Sequence, residues 1–371
     1  MCGHIVSMFL CVLFAQGCSL IDDDLSVCGI DMEIRLEMQL VTNLDLELET
    51  VLSAETDLYT KTILHEYFSH IFTDHAHDIN IGFFNTENDA LVYSIHDVID
   101  ATQSTYTFFL PKNDYHAIAL ANLDENGVVS LTDSTNSRMA RLMTPSLDTL
   151  PTQETGLFAV ARDVTVIDTA DQKIDLTLYM ASSAFALLID TTGVPIKGAR
   201  AYLVGTADGL MLRDSLFTHD YPRTVRMEEI VENKEERPSQ ATEREKTALL
   251  KEERPFASLS ERAKNRDEGA RAIVQEEDSV RYLMYGCASF PSPDEPDSKG
   301  VYYRAKVYVD LPNGTTTETV LSVETVLQAG QLKVVKTKLQ PEGSVVPVGA
   351  PEVGASVTLE WKDGGTHTIE F

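Results

Sequence analysis

Positive charge is scarce in this chain. Lys and Arg number 30 against 58 Asp and Glu over 371 residues, a formal net charge of -28. That balance excludes nucleic-acid binding, because neutralising phosphates takes clustered Lys and Arg. It equally excludes wrapping on anionic lipid head groups, which attract basic segments. Long apolar runs are also missing: past the first twenty residues none approaches the roughly 18 needed to span a bilayer. No C-x-x-C pair occurs, so a zinc ribbon and a thioredoxin-like redox site are excluded. There is no G-x-S-x-G elbow, no P-loop and no paired Gly-rich phosphate turn. No repeat of fixed period is visible.

Several motifs approach a known chemistry and stop short of it. His65-Glu66-Tyr67-Phe68-Ser69-His70, with His75 and His77 close by, invites comparison with a helical zinc site. That site needs His at i and i+4 so that both imidazoles share one face. A spacing of five rotates them roughly 140° apart on a helix, so solvent-facing or helix-terminal histidines are expected. Asp22-Asp23-Asp24 and Asp124-Glu125-Asn126-Gly127 lack the twelve-residue calcium-loop spacing with its terminal bidentate Glu. They read as a spacer and a hairpin turn. Gly205-Thr206-Ala207-Asp208-Gly209 reads as a turn between strands. No nucleophile is paired with a base, and the chain gives no case for an enzyme, a metal or a cofactor.

What is present begins at Leu13-Phe14-Ala15-Gln16-Gly17-Cys18-Ser19-Leu20-Ile21-Asp22-Asp23-Asp24, an apolar run reaching a small residue and a cysteine before breaking into three acids. That is the pattern of a bacterial lipoprotein signal, cut before Cys18 with lipid placed on its thiol. Met1-Cys2-Gly3-His4 carries no Lys or Arg, which departs from the usual signal, and the competing reading is a buried N-terminal strand. The acidic run opposes that reading, since nothing would neutralise it in a core. Residues 1–17 are therefore expected to leave, and 18–30 to form a lipidated terminus and acidic spacer. Of the five cysteines, Cys2 and Cys11 go with the signal. Cys28 and Cys287 remain as either a disulfide or two buried free thiols, in a compartment where disulfides persist.

The body reads as β structure. Met32, Ile34, Leu36, Met38 and Leu40 alternate with polar residues, the period of a half-buried strand. Leu44, Leu46 and Leu48 continue the alternation. Leu64, Tyr67, Phe68, Ile71 and Phe72 recur at three and four residues, which predicts an amphipathic helix from near Ser53 or Thr56 to about Thr73. Many short strands follow, interrupted by a polar loop over about Asp133–Glu154. This pattern predicts a mainly β protein of two sandwiches, 31–172 and 173–371, with the helix in the first. From about Arg226 to Asp278 roughly half the residues are charged, of both signs. That stretch reads as a solvent-exposed insertion in the second sandwich.

Taken together, Cys18-Ser19-Leu20-Ile21-Asp22-Asp23-Asp24-Leu25-Ser26-Val27-Cys28, the strand at Met32–Leu40, the passage Phe72-Thr73-Asp74 into Ile79–Phe84, Tyr106–Leu110, Tyr115–Leu123 and Ala355–Trp361 resemble the FimB-type fimbrium anchoring subunits of Bacteroidales. These are lipoproteins at the base of type V fimbriae. The resemblance implies two transthyretin-like β-sandwiches in tandem. It implies a structural, non-enzymatic role: lipid on Cys18 holds the protein in the outer membrane at the fimbrium base, and a fimbrillin-like stalk subunit joins the body, limiting fibre length. The charged insertion departs from the family's compact pattern. Joining sandwiches points to β-strand addition at a sheet edge. The alternative is a surface adhesin or glycan-binding lipoprotein, with Tyr302, Tyr303 and Trp361 as stacking aromatics.

Overall fold

A computed structural model describes residues 31–41, 58–73, 76–98, 105–167, 172–231, 282–349, 353–360 and 366–370. The alternation read from Met32 to Leu40 is a strand, β1 (Asp31–Val41), and the helical stripe is α1 (Leu58–Phe68). The helix ends sooner than the spacing predicts, yet its geometry runs on: Phe72 N–H still donates to Phe68 O at 2.9 Å. Ile71 and Phe72 stay buried with Leu64 and Phe68. The stripe therefore marks the buried face correctly beyond the helix's own end. The expected helix start at Ser53 or Thr56, and the alternation at Leu44–Leu48, lie outside the described residues.

The first unit is a seven-stranded sheet in the order β3 (Leu91–Val98), β2 (Asp78–Asn85), β5 (Asn113–Ala121), β8 (Phe158–Val166), β9 (Gln172–Met180), β1, β4 (Thr105–Pro111). Between β8 and β9 only Phe158↔Met180 and Ala159↔Tyr179 are paired. The sheet folds over at that narrow join into two layers. Phe108 of β4 thus meets rings from the opposite layer, Phe83 at 5.0 Å and Tyr93, stacked, at 5.5 Å. Offset and stacked ring pairs of this kind add about 1 kcal/mol beyond their buried area.

The second unit places a five-stranded sheet, β15 (Glu228–Glu229), β16 (Tyr282–Ser289), β10 (Ser183–Asp190), β19 (Leu332–Leu339), β20 (Val345–Pro347), against a six-stranded one. The latter runs β14 (Arg223–Arg226), β11 (Gly198–Thr206), β17 (Tyr303–Asp310), β18 (Thr316–Val323), β21 (Val353–Glu360), β22 (Thr366–Glu370). The two units share a wiring. In each, the opening strand lies inside a sheet, antiparallel to one neighbour and parallel to a late strand: β1 with β4 and β9, β10 with β16 and β19. The mainly β architecture of two sandwiches with a helix in the first is borne out.

The division expected at 172/173 is corrected. Gln172–Met180 pairs with β1 of the first sheet, so the chain changes units at Ala181–Ser182. Alternation shows that a residue run is a strand but not which sheet it joins. The expected insertion also begins later than Arg226. Arg226 ends β14, Met227 and Ile230 are buried, and Glu228–Glu229 pairs with β16. Residues 232–281, which hold the rest of it, lie outside the described residues.

A fourth sheet joins the units. Its order is β13 (Leu216–Thr218), β12 (Gly209–Met211), β7 (Arg141–Met143), β6 (Ser130–Thr132). The first two strands come from the second unit and the last two from the first, with Leu210 paired to Leu142. Beneath it Phe84, Ile118, Leu120, Leu142, Leu210 and Phe290 form one apolar cluster. On the other side of the junction, β10 is buried on both faces. Phe185, Leu187 and Ile189 enter the second unit's core, while Ala184, Ala186 and Leu188 pack with α1 and the first unit. Burial on both faces explains why Ala184–Ile189 is continuously apolar instead of alternating.

Candidate functional site

Cys18, the residue that would carry lipid, lies outside the described residues, as do Cys28, His75 and Trp361. The tether would enter the described body at Asp31, the first residue of β1. Cys287 is a free thiol fully enclosed on β16, in register with Phe185. Burial, with the charge of Glu228 adding to it, pushes this thiol above its ordinary pKa, which keeps it protonated and unreactive.

The histidines do not converge. His65 is exposed in the last turn of α1, and His70 lies past the helix end with its ring edge-on to Tyr67 at 5.8 Å. Burial lowers the pKa of His70, against the nearby charge of Glu228. His77 is exposed, and its backbone N–H donates to Asn122 Oδ1 at 2.7 Å. Among the described residues no three acids, histidines or cysteines gather as a metal would require.

Asp124-Glu125-Asn126-Gly127 offers backbone amides inward, while the Asp124 carboxylate lies 3.4 Å from His96 Nε2 at the surface. The buried carboxylate of Asp78 accepts backbone N–H groups of Leu123 at 2.9 Å, Asp124 at 3.0 Å and Glu125 at 3.4 Å. Burial raises the pKa of Asp78, and those three amides oppose the rise. Asn122 holds the left-handed conformation at φ 64°, which Asn tolerates better than most residues. The expected hairpin is corrected here: β5 and β6 are not paired, and the turn carries the chain from the first sandwich into the joining sheet. Gly205–Gly209 does the same for the second unit, between β11 and β12. Gly205, at φ +105°, lies against the backbone of Tyr303.

Two further nodes had no distinct sequence signal. Asp89, at φ 59° and 6% exposed, binds Arg138 Nε at 2.6 Å, the guanidinium of Arg213 and the hydroxyl of Ser137 at 3.1 Å. It ties the β2–β3 turn to segments flanking β7 and β12. Burial alone would raise its pKa, but the Ser137 hydroxyl and the two guanidiniums hold it below the usual carboxylate range. The second node is the polar stretch before Glu154, expected as a loop. Thr152 Oγ1 accepts Ala288 N–H at 2.8 Å, Gln153 N–H donates to Ala288 O at 3.1 Å, and Ser182 Oγ donates to Gln153 Oε1. Thr152 and Gln153 are buried, so this segment is mortar between the units, its polar groups satisfied by the second unit's backbone. From α1, Tyr67 OH reaches across to Gly286 O at 3.2 Å and Glu228 at 3.3 Å.

The sheets end in strands with an open side. In the first unit these are β3 and β4; in the second, β22 ends the larger sheet, and β14 at its other end is bridged by Leu150 through Thr224 O and Arg226 N–H. Along β3 half-buried and exposed side chains alternate, with Val92 and Val98 exposed. Of the aromatics expected to stack on sugars, Tyr303 is withdrawn into the core, edge-on to Phe185 at 5.8 Å, and Tyr302 is half-buried against the same cluster. What this geometry offers is backbone edges and a two-unit body joined by a shared sheet.

Comparison with known proteins fits that description. A family model described as fimbrillin-A associated anchor proteins Mfa1 and Mfa2 matches residues 46–250. Among solved structures, a candidate adhesin from Bacteroides ovatus is similar at 8% identity and TM-score 0.49, covering 91% of this chain and 96% of that one. The fimbrial anchor protein Mfa2 from Porphyromonas gingivalis is similar at 10% identity and TM-score 0.44, covering 91% and 100%. The tip fimbrial protein Mfa3 from the same organism is similar at 10% identity and TM-score 0.37, covering 89% and 100%. No curated protein matches the chain. No described helix is long and apolar enough to cross a membrane.

Proposed function

The chain belongs to the family of fimbrillin-A associated anchor proteins, and on that premise we propose that it is the lipid-tethered base of a fimbrium. The observation that carries the reading is the family match, which spans more than half of the chain. In this reading the diacylated Cys18 sits in the outer membrane, residues 19–30 form a short acidic spacer, and the two-unit body stands at the cell surface. A fimbrillin-like stalk subunit joins the body by adding a strand to an open sheet edge. There the main chain supplies hydrogen bonds and alternate side chains set the register. A base that holds the first stalk subunit also limits growth, so its loss gives long, detached fibres. Cys287, a free thiol enclosed on β16, has no part in the joint.

The tether is tested by Cys18→Ala. The expected result is release of fimbriae into the medium with the protein body still produced and folded. Fimbriae that stay bound to cells carrying that variant overturn the anchor. The adhesin alternative is weakened by the burial of Tyr303, which removes one face of the expected sugar platform.

A further inference from the structure

We propose that β1 is the force-bearing clamp of this protein: tension between the tether and the second unit loads its two ladders in shear. The proposal rests on the anchor reading above, in which the pull arrives from the N-terminal side of Asp31. The strand is held on both sides. It pairs in parallel with β9 from Ile34↔Gln172 to Val41↔Tyr179, and antiparallel with β4 from Asp31↔Pro111 to Glu37↔Thr105.

The direction of the pull follows from the wiring. β9 ends at Met180, and after Ala181–Ser182 the chain enters β10 of the second unit. Because β1 and β9 are parallel, the C-terminal end of β1 faces the second unit and its N-terminal end points away from it. A membrane drawing on the N-terminal end and a fibre drawing on the second unit therefore pull β1 and β9 in opposite senses along one axis. Ladder hydrogen bonds lie across that axis, so they share the load and must fail together. Two strands drawn apart from one end break rung by rung instead. The parallel arrangement costs little in resting stability and changes the barrier to forced extraction, which is the quantity that decides survival under load. The β4 ladder adds a second set of bonds strained in the same direction. The rest of the first unit is also joined to the second, by the paired strands β7 and β12.

The test is single-molecule force spectroscopy on the mature chain with one handle at its N-terminal side. In the shear geometry the second handle is placed at Thr192, an exposed turn residue just after β10. In the unzipping geometry it is placed at exposed Lys112, beside Pro111, the partner of Asp31. A several-fold higher rupture force in the first geometry at equal loading rate is expected. Leu36→Pro, which removes an N–H in mid-strand opposite Ile174 and Tyr106, is expected to bring the shear force down toward the unzipping one. Should that variant fail to fold, the two geometries on the unaltered chain still decide. Equal forces overturn the clamp even where Cys18→Ala releases fibres. Fibres retained by Cys18→Ala overturn the anchor, and the clamp's role with it, whatever the forces.

Discussion

Asp89 is the residue on which most of the polar geometry of the first unit's cap depends. It holds a left-handed backbone, is almost fully enclosed, and meets two guanidiniums and a hydroxyl. Asn is close to Asp in shape and also tolerates the left-handed conformation, so Asp89→Asn removes charge with little else. Because the folded-state pKa is depressed below the model-peptide value of 3.8, the carboxylate's contribution is fully present above that pH. It is lost as pH falls through the lower folded value. Thermal melts should show Asp89→Asn less stable than wild type at neutral pH, with the gap closing under acid conditions below pH 3.8. A gap that stays constant to the lowest pH measured contradicts this role. In sequence Asp89 is one acid of the turn Asn85-Thr86-Glu87-Asn88-Asp89, and its partners Arg138 and Arg213 are far away along the chain. Nothing local distinguishes it from a solvated turn residue. For the histidines, spacing shows only that His65 and His70 cannot share one helical face; that the helix ends at Phe68, before His70, was not legible.

Among elements, the segment from β7 to β8 departs most from expectation. Its Thr, Ser and Gln content reads as a surface loop, but Thr152 and Gln153 are buried, bonded to the backbone of β16 and to Ser182. Composition measures average polarity and cannot show that each polar group has found a partner. The same segment holds Gly156, where a Cβ would lie 1.9 Å from the carbonyl oxygen of Ile71. The helix exit and this strap are therefore as close as backbone allows. Gly156→Ala should destabilise the fold by at least about 1–3 kcal/mol, the usual cost of overpacking, because the obstacle is main chain and cannot rotate aside. Chemical denaturation with an unchanged midpoint would show that the strap has slack. The strands themselves were easier to read. β1 showed clear alternation because one face only is apolar, whereas β10 lost it because both faces are covered. In β10 the pattern reports burial on both faces.

For the molecule as a whole, the sequence divides into two sandwiches, but the structure does not leave them separate. The joining sheet takes two strands from each unit, one apolar cluster contains residues of both, and α1 reaches the second unit through Tyr67. Calorimetry should therefore give one cooperative unfolding transition with matching calorimetric and van't Hoff enthalpies. Two resolved transitions would mean that the junction is weaker than its pairing implies. This coupling was invisible in the sequence because β6, β7, β12 and β13 are each three residues long, too short to show a period. Their pairing is decided by residues nearly seventy positions apart, such as Leu142 and Leu210.

The joining sheet also limits how such a protein can be altered over generations. Each half contributes one strand, β7 or β12, that pairs with the other half across the seam. Exchanging one half for that of a distant relative would strand both seams at once, however well each half folds by itself. The pair is then inherited as one piece, and variation is freest at the outer edges, where a new fibre partner can be met without disturbing the seam.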